Sequence, residues 1–224
     1  MHDLPRLAVL ISGEGSNLQA LIDACHAGGL PAKLCKVISN KPEAGGLSRA
    51  ARAGIPHACI DHRNYPSRET FDAALLEELR RCEADFAVLA GFMRILTPVF
   101  IEPWVGRLLN IHPSLLPKYP GLDTHRRALS AGDTEAGATV HFVTAELDGG
   151  PPVLQARVPI LGEDDAASLA LRVQEREHLI YPLATRWLLE GRLSLSGKEA
   201  LLDDQVLPEA GVIFSEAMAL GEVV

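Results

Sequence analysis

Short, largely apolar runs alternate with helical stretches along the first half of the chain, and that alternation limits the fold more than any other feature. The runs are RLAVLI (6–11), KLCKVIS (33–39), HACI (57–60), FAVLA (86–90) and RLLNIH (107–112). Between them Leu18, Leu21, Ile22 and Cys25 recur at helical spacing, with Ser16 and Asn17 placed to cap that helix and Gly28-Gly29 to end it. Gly46 to Ala53 reads as a short helix closed by Gly54. Ser67 to Cys82 reads as a longer one with a stripe of Phe71, Leu75, Leu76 and Leu79. Strands that are apolar on both faces need cover on both sides, so the expected class is α/β: a mostly parallel twisted sheet with helices on both faces. Beyond Gly137 the pattern changes. ATVHFV and VLQARVPI, joined by a glycine-rich segment, read as antiparallel additions in the C-terminal part. Asp164 to Glu190 is helical, with Pro182 expected to kink or divide it, and RLSLSGKEALLDDQVL suits a small hairpin. No linker or repeat interrupts the chain, so residues 1–224 are read as one domain.

Composition narrows the function classes. With 224 residues, 47% hydrophobic and 22% charged, the chain can bury a full core. A formal net charge of -8 speaks against wrapping a nucleic-acid backbone, though not against a local basic pocket. The N-terminal apolar run, Leu7 to Ile11, is too short for a secretory signal, and no run approaches the roughly 18 apolar residues of a membrane span. A cytoplasmic protein without a membrane partner is expected. Cys25, Cys35, Cys59 and Cys82 form no C-x-x-C pair, which argues against a zinc knuckle or a dithiol redox motif.

Two stretches carry chemistry. In ISGEGSNLQAL, Gly13 and Gly15 let a ligand approach the main chain at the start of a helix, where free N–H groups can hold an anion. Leu18 stands where a dinucleotide fingerprint needs its third glycine, and no Gly-Lys-Ser/Thr follows, so a single phosphomonoester fits better than NAD or ATP. A plain strand-to-helix turn is the alternative. In NIHPSLLPKYPG, Asn110 and His112 lie two apart on a strand and so share a face, at the strand end where open α/β sheets bind ligands. His112 can be a catalyst, a metal ligand or a histidine packed beside a turn. Asp148, in ELDGGP, is the candidate partner that would orient the ring and favour its charged form; read alone, Asp before Gly is more often a turn residue. A metal held by His112, His125 and His141 lacks any supporting spacing motif.

The stretches ISGEGSNLQALIDAC, VLAGFMRILTPVF, GRLLNIHPSLLPKYPGLDTHRRAL and VHFVTAELDGGPPVLQARVPI resemble the folate-dependent formyl transferases. The SGxGSN loop points to the glycinamide ribonucleotide branch of that family, and the similarity runs from about Leu7 through GRLSL. The resemblance implies a Rossmann-like sheet that binds no dinucleotide. It also implies formyl transfer from 10-formyltetrahydrofolate, as co-substrate, to the amine of 5-phosphoribosylglycinamide in purine biosynthesis, with no metal. By resemblance Asn110, His112 and Asp148 match the catalytic trio; Gly15, Ser16 and Asn17 match the phosphate loop; and Glu177 matches the acid that meets the glycinamide end. Arg68, Met93, Arg94, Ile95, Leu96, Asn110 and the run Thr144, Ala145, Glu146, Leu147 and Asp148 match the folate side. On this reading residues 1–105 form a phosphate-binding half and 106–195 a folate and catalytic half, followed by the hairpin and tail. A monomer or a homodimer is expected. Glu14 and Asp123 depart from the family pattern, and Glu14 is expected to face solvent, since inward it would repel a phosphate.

The mechanism expected is direct attack of the substrate amine on the formyl carbon. Asn110 and protonated His112 would stabilise the oxyanion while Asp148 holds the imidazole. Ser114, two residues from His112 on one strand, has poor geometry for a nucleophile. Three other readings stand beside it: a formyl transferase acting on methionyl-tRNA, for which too few residues follow the hairpin; a formyltetrahydrofolate hydrolase; and a non-catalytic phospho-ligand binding module.

Overall fold

In the first strand Leu7, Val9 and Ile11 enter one apolar layer, and Ala8 and Leu10 enter another on the opposite face. This is the period of two expected of a strand covered on both sides. The molecule is described by a computed structural model covering residues 4–219. Its first half runs β1 (Arg6–Ile11), α1 (Ser16–His26), β2 (Lys33–Ser39), α2 (Gly45–Arg52), β3 (His57–Cys59), α3 (Arg68–Arg81) and β4 (Phe86–Leu89). Then come α4 (Pro98–Ile101), β5 (Leu108–His112), α5 (Thr124–Ala131), β6 (Glu135–Phe142), β7 (Pro152–Pro159) and α6 (Ala166–Leu189). The chain closes with β8 (Leu193–Ser196), β9 (Glu199–Leu202), β10 (Gln205–Val206), β11 (Val212–Ile213) and α7 (Glu216–Ala219).

One eight-stranded sheet has the order β11-β7-β6-β5-β4-β1-β2-β3. From β3 to β5 all pairings are parallel; β6 is antiparallel to β5, and β7 to β6. The α/β class, the parallel half and the antiparallel additions thus match the sequence reading. Parallel order across β4, β1 and β2 makes the chain reverse its direction of winding beside β1, and such a switch point opens a crevice at the C-terminal strand ends.

Three local expectations are revised. Gly15, not Ser16 or Asn17, is the cap residue of α1, and that helix start has no side-chain cap. Of the two outcomes expected at Pro182, division does not occur: α6 runs unbroken through it for 24 residues. Tyr181, fully buried beside that proline, donates its hydroxyl to Leu89 O at 2.9 Å and so anchors the helix to the sheet. The predicted hairpin is a three-stranded antiparallel sheet, β10-β9-β8, and β11 adds a further parallel edge strand to β7 that the sequence reading does not contain. Among the described residues no helix is long and apolar enough to cross a membrane.

Candidate active site

Ser12, just past β1, ties three strand ends together. Its N–H donates to Gly91 O (3.1 Å), its hydroxyl donates to Asn40 Oδ1 (2.5 Å) and accepts from Met93 N–H (2.7 Å). The glycine loop follows. Gly15 sits at φ 74, and a Cβ built there would lie 2.8 Å from Gly46 Cα, so both a left-handed backbone and close packing on α2 require glycine. Gly46 N–H donates to Gly13 O at 3.0 Å and fixes the loop against that helix. With no side-chain cap, the first-turn N–H groups of α1 are left for a ligand, and their partial positive charge suits an anion. Glu14 is exposed, and it also lines the cavity beside the loop.

α6 supplies the other wall. Gln174 Nε2 donates to Ser16 Oγ (3.0 Å), and Asn17 Nδ2 donates to Glu177 Oε2 (2.7 Å). Burial raises the Glu177 carboxyl above its ordinary value, partly offset by the Asn17 hydrogen bond. Asn17 Oδ1 is buried without a partner and offers an acceptor to an N–H group. The loop, Lys41, Met93, Gln174 and Glu177 line a cavity of about 460 Å³.

On the opposite side of β5 stands the predicted trio. Leu109 and Ile111 enter the layer beneath α6, which turns Asn110 and His112 together to the other face. The sheet register pairs Asn110 with His141 and His112 with Thr139. Asp148 arrives from the β6–β7 connection in a left-handed conformation, φ 50. One carboxylate oxygen, Oδ2, lies 3.4 Å from His112 Nδ1 and accepts Gly121 N–H at 2.8 Å; the other, Oδ1, lies 3.8 Å from His141 Nε2. His112 Nε2 bonds to the Tyr119 carbonyl at 2.9 Å. Both ring nitrogens of His112 therefore face oxygen acceptors, an arrangement that a doubly protonated ring can satisfy at both ends. The two glycines after Asp148 are needed for space. A Cβ on Gly150 would collide with the Phe142 carbonyl, and one on Gly149 would meet the Glu146 side chain within 2.5–2.9 Å.

Asn110, Asp148 and the predicted folate residues Arg94, Ile95, Leu96, Thr144, Ala145, Glu146 and Leu147 line one narrow cleft of about 80 Å³. Leu89, Phe92, Ile101 and Val143 give it apolar walls. Buried Asp72 holds one edge, accepting both the N–H and the hydroxyl of Thr97 at 2.6 and 2.7 Å. Met93 lines the glycine-loop cavity instead, and Arg68, the exposed first residue of α3, lines neither. Sequence reasoning missed Ser12, Gln174, Asp72 and the main-chain groups of Tyr119 and Gly121. Only Gln174 carried a usable signal: it lies three residues before Glu177 and so on the same face of the helix. A separate open groove of about 620 Å³ lies between α1 and α6, lined by residues such as Ala20, Asp23, Leu183 and Arg186. It is larger than either cavity, yet it holds none of the trio and shares only Ser16 with the glycine-loop cavity. Among the described residues no group of three or more His, Cys, Asp or Glu is arranged to hold a metal ion.

Known proteins resemble this chain in sequence and fold. Residues 5–185 match the family described as formyl transferase. The phosphoribosylglycinamide formyltransferase of Haemophilus influenzae is 51% identical over 208 residues, covering 93% of this chain and 98% of the relative. Its Escherichia coli counterpart is 52% identical over 210 residues, covering 94% and 99%. The solved structure of the phosphoribosylglycinamide formyltransferase of Coxiella burnetii superposes with a TM-score of 0.91 at 45% identity, over 95% of this chain and all of that one. With the family match spanning most of its length, and full-length relatives above half identity, the chain belongs to the formyl transferase family.

Proposed function

We propose that the chain transfers the formyl group of 10-formyltetrahydrofolate to the amine of 5-phosphoribosylglycinamide, a step of purine biosynthesis. The observation that carries this reading is that two cavities of different character flank the C-terminal end of β5. Asn110 lines the apolar cleft, and Ile111 and Pro113 line the wider cavity that contains the glycine loop. A flat pterin suits the first, and a phosphorylated sugar suits the second. The amine of one substrate would then meet the formyl carbon of the other beside His112. Both cavities draw on both halves of the chain, since Gln174 and Glu177 serve the phosphate side and Arg94 to Leu96 serve the cleft.

Gly15, Ser16 and Asn17 hold the phosphate through the start of α1, and Glu177 with Asn17 Oδ1 accepts N–H groups of the glycinamide. Leu96, Phe92 and the segment Thr144 to Asp148 grip the folate. The amine attacks the formyl carbon, forming a C–N bond and placing negative charge on the formyl oxygen. Asn110 donates an amide N–H to that oxygen. His112 donates the Nε2–H that the Tyr119 carbonyl otherwise takes, which supports a place for the formyl oxygen near that carbonyl. Collapse of the intermediate breaks the bond to N10, and the proton lost by the amine passes to N10, with Asp148 assisting the transfer. The test is to mix the two substrates and follow deformylated folate with and without the nucleotide. Strict nucleotide dependence is expected. Release of formate without the nucleotide would make the chain a hydrolase, and no release would make it a binding module.

A further inference from the structure

A carboxamide can present either its N–H groups or its oxygen, and only one of these stabilises an oxyanion. Asn110 lies directly across the antiparallel ladder from His141, so their side chains rise from the same face of the sheet. We infer that His141 is a positioning residue that fixes which way the Asn110 amide faces. This inference rests on the role proposed above for Asn110.

His141 is 2% exposed, and its Nδ1 lies 2.8 Å from the Phe142 carbonyl. A carbonyl can only accept, so Nδ1 carries the hydrogen. Burial pushes the His141 imidazole down to about 4, against the opposing effects of the Phe142 hydrogen bond and Asp148, so the ring is neutral at physiological pH. A neutral ring with its proton on Nδ1 has only a lone pair at Nε2. That lone pair is 3.2 Å from Asn110 Nδ2 and accepts one of its two N–H bonds. A flipped amide would set its oxygen against the lone pair, which is repulsive. The second N–H is left for a ligand in the cleft that Asn110, His141 and Asp148 all line.

The neighbours leave little alternative. Asp148 Oδ1, 3.8 Å from Nε2, would draw that nitrogen away from Asn110 only if Nε2 were protonated. The other charged group near His141 is His112, and a cation there opposes such protonation. The Phe142 carbonyl in turn has room at this position because Gly150 carries no side chain. A line of contacts thus runs from the Asp-Gly-Gly turn through Phe142 and His141 to the group that meets the formyl oxygen.

The test compares wild type with His141→Phe and His141→Gln, assayed for transfer with both substrates, and adds nitrogen-15 NMR of the wild-type histidines. Loss of the acceptor in His141→Phe is expected to lower kcat about 10- to 100-fold while both KM values change less than about threefold. The pH profile of kcat should keep its shape, and His141→Gln, whose side-chain oxygen can reach the Nε2 position, should recover most of the loss. In wild type the His141 ring should show a protonated Nδ1 and a bare Nε2 throughout neutral pH. Near-normal kcat in a folded His141→Phe protein overturns the inference, as does a ring that titrates near neutrality or carries its proton on Nε2. Absence of any transfer by wild type would refute the proposed function instead. The NMR result judges the tautomer in either case, and does so even where His141→Phe fails to fold.

Discussion

Replacing Asp148 by Asn tests the centre of the site with little disturbance to its frame. Asn tolerates the left-handed φ of 50 observed here, and its oxygen can keep accepting Gly121 N–H. What changes is the charge beside His112. The oxygen 3.4 Å from Nδ1 becomes that of a neutral amide, and the new NH2 group takes the place of Oδ1, facing His141 Nε2. Two opposite charges at that separation attract by about 5 kcal/mol at an effective dielectric constant near 20. Relief of the buried carboxylate's desolvation offsets part of this, so the barrier should rise by roughly 3–4 kcal/mol, a few hundredfold in kcat. The assay is the nucleotide-dependent release of deformylated folate across pH, with thermal unfolding in parallel. Tm should stay within about 3 °C, because the main-chain hydrogen bond survives. A kcat within about threefold of wild type would refute the assigned role. So would a large fall in Tm beside the lost activity, since the loss would then report unfolding.

Three further outcomes follow from the same geometry. Glu177→Gln should nearly abolish activity yet raise stability at pH 7–8, because it removes a buried carboxylate and its new amide can donate to the orphan Asn17 Oδ1. Since the folded Glu177 carboxyl is raised, its stabilising contribution is full below the unfolded value and lost as pH rises, so the Tm advantage of the variant should vanish near pH 4; an advantage that grows in acid would contradict this. His141 titrates in the opposite sense: the unfolded ring takes a proton below about 6.5 and the folded ring only near 4, so wild type should lose up to roughly 3 kcal/mol over that window and His141→Gln less, measured by urea unfolding at each pH. Gly150→Ala should cost about 1–3 kcal/mol of stability by pressing on the Phe142 carbonyl, and should lower activity by more than that loss of folded protein explains.

The legibility of the sequence varied with the range of the interaction that mattered. Strand and helix identities followed from local periodicity, and the pairing of Asn110 with His112 on one face followed from a spacing of two. The short edge strand β11 and the continuity of α6 through Pro182 were not legible, because each depends on packing against distant elements. Sequence spacing left Asp148 more readable as a turn residue than as a partner, and family resemblance rather than local physics brought it to His112. The supporting groups were hidden for a related reason. Main-chain atoms of Tyr119 and Gly121 have no residue signature, and Asp72 and Ser12 act only because folding brings Thr97, Asn40 and Met93 to them.

Several groups of this site oppose stability. Glu177 and His141 are buried in protonation environments that folding disfavours, and Asn17 Oδ1 is left without a partner. Tyr119, Asp123 and Asp148 hold left-handed backbones at φ 56, 59 and 50 without being glycine. Each such group would be easy to relieve by one substitution, and each lies on a cavity wall or on the loops that close over His112. The surrounding layers compensate: the strands beneath are apolar on both faces, and α6 is locked to the sheet by Tyr181. Groups that a ligand would satisfy are costly in the ligand-free chain. Saturating phosphoribosylglycinamide should therefore raise Tm, and the rise should be smaller in Glu177→Gln, where one of those costs has already been removed.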